Sequence, residues 1–211
     1  LTIQDSYSRF LLGCHGLPST ATAGARSVFE RVFREYGLPE VIRTDNGVPF
    51  SSNAVGGLSQ LAVWWVRLGI RLERTRRAHP QDNGAHERMH RTLKEEATRP
   101  ARTTPELQQR VFNEFRRVFN NDRPHEALGQ QPPAQHYAHS ARHLPRTLPP
   151  LHYPEGFVIR RVNRRGEVTW RRRHYFLSET LHHQVVGLHL NTEGILNLYF
   201  VPALLAQLNE Q

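Results

Sequence analysis

Residues 79–98 read HPQDNGAHERMHRTLKEEAT. The first six, His79-Pro80-Gln81-Asp82-Asn83-Gly84, are loop chemistry, because Pro, Asn and Gly punctuate the backbone. From Gly84 the pattern predicts a helix to about residue 98. Glu87 falls one turn in, and His90, Arg91 and Lys94 follow at i+3, i+4 and i+7, so all four share one face. Two readings of Glu87 stay open on spacing alone. It is a first-turn glutamate favoured by the helix dipole, or a metal-binding acid whose neighbouring cations suit a passing phosphate backbone. The stretch also spells His86-Glu87-Arg88-Met89-His90, which matches the H-E-x-x-H pattern of zinc metallopeptidases. The extended form of that pattern does not follow, since Leu93 and Glu96 stand where its Gly and third His would be. The flanks are basic rather than apolar, so the peptidase is the lesser alternative.

Upstream, Leu1 and Ile3 alternate with polar neighbours, Asp5-Ser6-Tyr7-Ser8 is a turn, and Phe10-Leu11-Leu12 resumes an apolar strand, which predicts a hairpin over residues 1–17. Ala25, Val28, Phe29, Val32, Phe33 and Tyr36 recur at helical spacing until Gly37 and Pro39 stop them. Val41-Ile42-Arg43-Thr44 is a short strand running into the turn Asp45-Asn46-Gly47. Asp45 is a turn aspartate, or a carboxylate at a strand end that shares a hard divalent cation with Glu87. Leu58, Leu61, Ala62, Trp65 and Leu68 form a second helical stripe, and residues 70–74 a further short strand. This alternation of strands and helices indicates an α/β layer fold.

Downstream, a helix is expected from Pro105 to Asn120, with Thr104 as N-cap, Pro105 at the first helical position and Leu107, Val111, Phe115 and Val118 as the buried stripe. Six of the 14 prolines lie in residues 121–151, at 124, 132, 133, 145, 149 and 150, which reads as an extended wrap and linker. From Tyr153 onward short strands follow at close spacing, as in a small β-barrel. Trp170 and Phe176 are its expected core or groove aromatics.

Composition narrows the function. The 211 residues are 38% hydrophobic and 22% charged, enough apolar material for a core. No apolar run approaches the roughly 20 residues that span a bilayer, and LTIQDSYSRF at the start carries no signal-peptide pattern, so no membrane partner is expected. One cysteine, Cys14, excludes internal disulfides and Cys-rich zinc modules, and fits a cytoplasmic setting. Lys and Arg total 28 against 19 Asp and Glu, for a net charge of +9. Such a surface attracts polyanions, nucleic acid first. Lys94 is the only lysine, so an arginine-biased composition would produce the same excess.

Taken in order, certain segments resemble one family. They are Ile3-Gln4-Asp5-Ser6-Tyr7-Ser8-Arg9, Gly37-Leu38-Pro39, Thr44-Asp45-Asn46-Gly47 with Phe50, His79-Pro80-Gln81, Gly84-Ala85-His86-Glu87-Arg88, Arg91-Thr92-Leu93-Lys94, and Phe119-Asn120-Asn121-Asp122-Arg123-Pro124-His125-Glu126-Ala127-Leu128. Over residues 1–142 the chain resembles the catalytic core of retroviral-type integrases and bacterial insertion-sequence transposases, the DDE group with a ribonuclease H-like fold. The tail resembles the small SH3-type barrel that follows this core in one subgroup.

The resemblance implies a mixed sheet flanked by helices (residues 1–142, its first strand lying upstream), a linker (143–152) and a small all-β barrel (153–211). It makes Asp45 the second acid of a catalytic triad and Glu87 the third, both as metal ligands. The first acid would lie upstream of Leu1, so the chain alone is expected to be inactive. Neither Asp5 nor Asp82 matches that position. The implied chemistry is DNA transposition or integration: two Mg²⁺ (or Mn²⁺) ions activate water to nick an element end, and the freed 3′-hydroxyl attacks target DNA. Asn83, His90, Arg91 and Lys94 would guide the strand, and Arg160, Arg161, Arg171, Arg172 and Arg173 would hold phosphates. Implied partners are double-stranded DNA (element ends and target) and further copies of the chain on DNA, in a bacterial cytoplasm at the nucleoid. A non-catalytic DNA-binding remnant of a mobile element is the alternative.

Overall fold

The computed structural model describes residues 1–19, 21–44, 47, 49–50, 57–74 and 84–209. The chain divides into two compact units, Leu1–Pro39 with Thr75–Leu144, and Glu40–Arg74 with Pro145–Gln211. This grouping differs from the expected division at residues 142 and 153, because residues 40–74 go with the all-β part.

The first unit is built on the antiparallel pair β1 (Thr2–Gln4) and β2 (Leu11–Cys14). Its helices are α1 (Thr22–Tyr36), α3 (Gly84–Ala97) and α4 (Pro105–Asn121); α2 (Gln60–Arg67) belongs to the second unit. Helix α1 buries the six residues whose spacing defines it, from Ala25 to Tyr36. It stops at Gly37, where φ is +83° and an added Cβ would lie 2.5 Å from the Ser140 carbonyl oxygen. Only glycine combines that backbone with that approach. The proline-rich wrap is tied down at the same place. Leu38 N–H donates to the Arg142 carbonyl (2.7 Å), Ser140 N–H to that of Tyr36 (3.0 Å), and the Arg142 guanidinium to that of Pro39 (2.8 Å). Tyr137 stacks on Phe10 with centroids 4.4 Å apart.

Helix α4 starts as expected, with the Thr104 hydroxyl accepting from Leu107 N–H at 3.3 Å and Pro105 opening the helix. Its buried face matches the expected stripe at Phe115 and at the half-buried Val111, which pack into the core, but not at its two ends. Leu107 is 41% exposed and Val118 half-buried, whereas Phe115, Phe119 and Asn120 are buried. The cause is a polar stripe at Gln109, Arg116 and Asn120, which share one face of the helix. The Asn120 amide accepts from Leu11 N–H (2.7 Å) and donates to the Leu11 carbonyl (3.0 Å). Arg116 donates to the Leu12 carbonyl (2.8 Å), and Gln109 donates to that of Cys14 (2.9 Å) while accepting from Gly16 N–H (3.1 Å). These side chains satisfy backbone groups of β2 that would otherwise be orphaned, and they rotate Leu107 outward. Beside them Leu11, Cys14, Met89, Leu93, Ala97, Phe115 and Phe119 form an apolar cluster.

In the second unit β3 (Val41–Thr44) and β4 (Arg71–Arg74) pair in parallel, Val41 opposite Arg71. Helix α2 (Gln60–Arg67) is capped by Ser59, whose hydroxyl accepts from Ala62 N–H at 3.1 Å. The all-β part has strands β5 (Val158–Arg161), β6 (Glu167–Trp170), β7 (Arg173–Phe176), β8 (Val185–Leu190), β9 (Ile195–Phe200) and β10 (Ala203–Asn209). They form an antiparallel sheet in the order β10-β9-β8-β5 and a β6–β7 hairpin. Val162, Leu181, Val186, Leu188, Leu196, Leu198 and Phe200 are all fully buried, and Leu58, just before α2, joins the same cluster with Ala62, Val63 and Val66 of α2. The Tyr153 ring lies over Gly187, where a Cβ would meet it at 2.3 Å, and the Tyr153 hydroxyl donates to the Val185 carbonyl at 2.8 Å. Trp170 is partly buried against the cluster, but Phe176 is 59% exposed. Strand alternation explains this: Tyr175 faces inward, so Phe176 must face out.

Candidate functional site

Helix α3 has three usable faces. Met89, Leu93 and Ala97 recur at i, i+4 and i+8 and are buried, which anchors the helix against the first unit's core. On the opposite side Glu87, Arg91 and Lys94 are exposed. Among the described residues none of these three side chains makes a hydrogen bond or ion pair. A free carboxylate is a hard oxygen donor of the kind Mg²⁺ takes, and two unpaired cations one and two turns along can receive phosphate oxygens. Asp45 and Asn83 lie outside the described residues.

His90 does not join that face. It sits at its edge and turns inward to β1, where its Nε2 lies 2.7 Å from the Thr2 hydroxyl oxygen. The His86 Nε2 is 3.1 Å from the same oxygen and 3.1 Å from the His90 Nε2. Burial first, then the charge of Lys94, lowers the His90 pKa. Periodicity placed His90 within reach of the Glu87 face, and the hydroxyl of Thr2, more than eighty residues away, decided otherwise. Among the described residues no group of three or more His, Cys, Asp or Glu is placed to hold a metal.

In the second unit the five proposed phosphate ligands are all exposed. Arg160 and Arg161 are successive residues of β5 and so point to opposite faces. Arg171 and Arg172 form the two-residue turn between Trp170 and Arg173, both with left-handed backbones, φ 44° and 67°. Glycine and asparagine are the usual residues of such turns. A non-glycine residue in this region costs about 1–3 kcal/mol and persists where its surroundings hold it. Here the Arg171 guanidinium lies over the Trp170 ring, 5.6 Å from its centroid. The sequence signal for this device is weak, since Arg-Arg is not turn chemistry.

Comparison with known proteins points to one family. Residues 68–133, which include α3 and α4, match the model of the integrase core domain. The chain is 34% identical over 99 residues to the Gag-Pol polyprotein of baboon endogenous virus (strain M7), a match covering 47% of this chain and 5% of that protein. It is 34% identical over 99 residues to the Pol polyprotein of feline endogenous virus ECE1, covering 47% and 9%. The chain thus spans only a small part of these curated relatives. Among solved structures it resembles a chain of the cryo-EM structure of the simian T-cell lymphotropic virus intasome in complex with PP2A regulatory subunit B56 gamma. That match has TM-score 0.53 and 14% identity, and covers 100% of this chain and 72% of that one; it is a likeness of fold. The H-E-x-x-H stretch lies inside the segment that matches the integrase core domain. Over residues 68–133 the chain is thus similar to an integrase core domain, and its α/β fold with a β-rich part after it resembles that of a retroviral intasome chain.

Proposed function

We propose that this chain acts in DNA integration by phosphodiester hydrolysis and strand transfer, with Asp45 and Glu87 as the carboxylates it contributes to a divalent-metal centre. The observation that carries the reading is the outward face of α3 in the segment that matches the integrase core domain: Glu87, with no partner among the described residues, beside Arg91 and Lys94. Mg²⁺ or Mn²⁺ held there would activate the attacking oxygen and stabilise the leaving one. The protein's own part is positioning. Arg91 and Lys94 take phosphate oxygens and set the strand along α3, while Met89, Leu93 and Ala97 hold the helix so that Glu87 faces the scissile bond. Arg160, Arg161 and the turn arginines Arg171 and Arg172 supply further phosphate contacts from the β-rich part, with Arg173 at the start of β7. The reading includes oligomerisation on DNA, in keeping with the likeness of fold to an intasome chain.

The 211-residue chain should bind duplex DNA with log K falling linearly in log salt, by about 0.9 per phosphate contact. Replacing Arg91 and Lys94 together by Ala should lower that slope by up to about two. An unchanged slope would show that these residues form only a solvated face. Two of the three acids that the resemblance implies are present, so no Mg²⁺-dependent nicking is expected from this chain alone. Nicking abolished by Asp45→Ala would show that the third acid is supplied from within these residues.

A further inference from the structure

A second cationic feature lies on the other flank of α3, away from Glu87. A cavity of about 490 Å³ opens between α3, the β1–β2 turn and the segment that follows α4. Arg9, Arg88 and Arg123 line it with His125, over a floor that includes Met89 and Phe119. We propose that this cavity binds a phosphate group.

Its electrostatics are unbalanced toward an anion. Among the described residues Arg9 and Arg88 make no ion pair with an acid. Arg123 is paired with Glu96 at 2.5 Å, and its guanidinium lies 6.0 Å from the centroids of Phe115 and Phe119. Glu126 is the acid in the lining and is exposed. Guanidinium forks match phosphate oxygens in geometry as well as charge, and an apolar floor strengthens each such contact by excluding water.

Two further observations mark the place as built. The His125 imidazole is held edge-on against Phe119 of the floor, ring centroids 4.8 Å apart, so its place in the lining is set before any ligand arrives. Arg9 has a left-handed backbone, φ 64°. It is held by Gln4, whose amide donates to the Arg9 carbonyl at 2.8 Å, and by its own guanidinium donating to the Ser6 carbonyl at 2.6 Å. The turn thus fixes the side chain in advance of a ligand. None of these residues belongs to the Glu87 face, so the inference does not rest on the strand-transfer reading.

The phosphate can come from a DNA backbone or from a free phosphate, and one experiment separates these sources. Inorganic pyrophosphate is titrated calorimetrically into the 211-residue chain, into Arg88→Ala, and into the Arg9→Ala/Arg88→Ala double variant. Duplex DNA binding is measured against salt for the same proteins. Arg88 is exposed, so its removal leaves the fold intact, and circular dichroism checks this. Pyrophosphate affinity should fall about tenfold with each arginine lost, the size expected for a charge-assisted contact. If the natural ligand is a DNA phosphate, the salt slope of Arg88→Ala also falls by about one; if it is a free phosphate, the slope stays. Pyrophosphate that fails to bind the unaltered chain, or binds the double variant equally well, overturns the proposal. The Arg91 and Lys94 result stands apart from either outcome.

Discussion

The two units bury their strands by different means. In the second, the β8–β9 ladder presses Leu188, Leu196, Leu198 and Phe200 into an aliphatic core, each fully buried, and packing dominates. In the first, β2 has one strand partner among the described residues, and further backbone groups of it are met by side chains of α4: Gln109, Arg116 and Asn120. Apolar burial is forgiving of direction, whereas an amide aimed at one peptide group is not. In the first unit, therefore, α4 is locked to β2 by directed bonds, while α3, which carries Glu87, is anchored by Met89, Leu93 and Ala97.

This contrast can be broken by substitution. All three tryptophans, Trp64, Trp65 and Trp170, lie in the second unit, so their fluorescence reports that unit, while circular dichroism is dominated by α1, α3 and α4 of the first. The largest loss is expected from Phe200→Ala, about 3–5 kcal/mol for an aromatic removed from a closed core, seen as an earlier fluorescence transition in urea. Asn120→Ala should cost about 2–3 kcal/mol, since it strands both the N–H and the carbonyl of Leu11, and should move the dichroism transition first. A loss below about 1 kcal/mol would mean that water replaces the amide at little cost, and that packing holds α4 after all.

A gentler probe is acid. His15 has its pKa lowered from 6.5 to about 4, by burial first and then by the charges of Arg31 and Arg116. Its folded form binds protons less readily than its unfolded form, so its stabilising effect is complete above pH 6.5 and is lost as pH falls toward 4. His90 and His125 are shifted in the same direction, also by burial first, and all three belong to the first unit. The dichroism transition should therefore weaken across this window, and His15→Gln should flatten the dependence. An identical profile in that variant would assign the acid sensitivity elsewhere.

Much of the local structure was legible before any coordinate. The helix at Thr22–Tyr36, the strand at Val41–Thr44, the cap at Thr104 and the all-β character after Tyr153 follow from periodicity, capping residues and turn residues, which act within a few positions along the chain. The α/β class and the Glu87, Arg91 and Lys94 stripe were legible for the same reason, since an α-helix fixes which residues share a face. Tertiary structure alone decided which way α4 turns, because Asn120 and Leu11 are 109 positions apart and a polar stripe leaves no mark on hydrophobic spacing. It turned His90 toward Thr2, and it placed Leu58, Ala62, Val63 and Val66 in the same core as the late strands. It also gathered Arg9, Arg88 and Arg123 around one cavity. Each of these depends on which distant group stands opposite a side chain, and a linear pattern records only that the side chain exists.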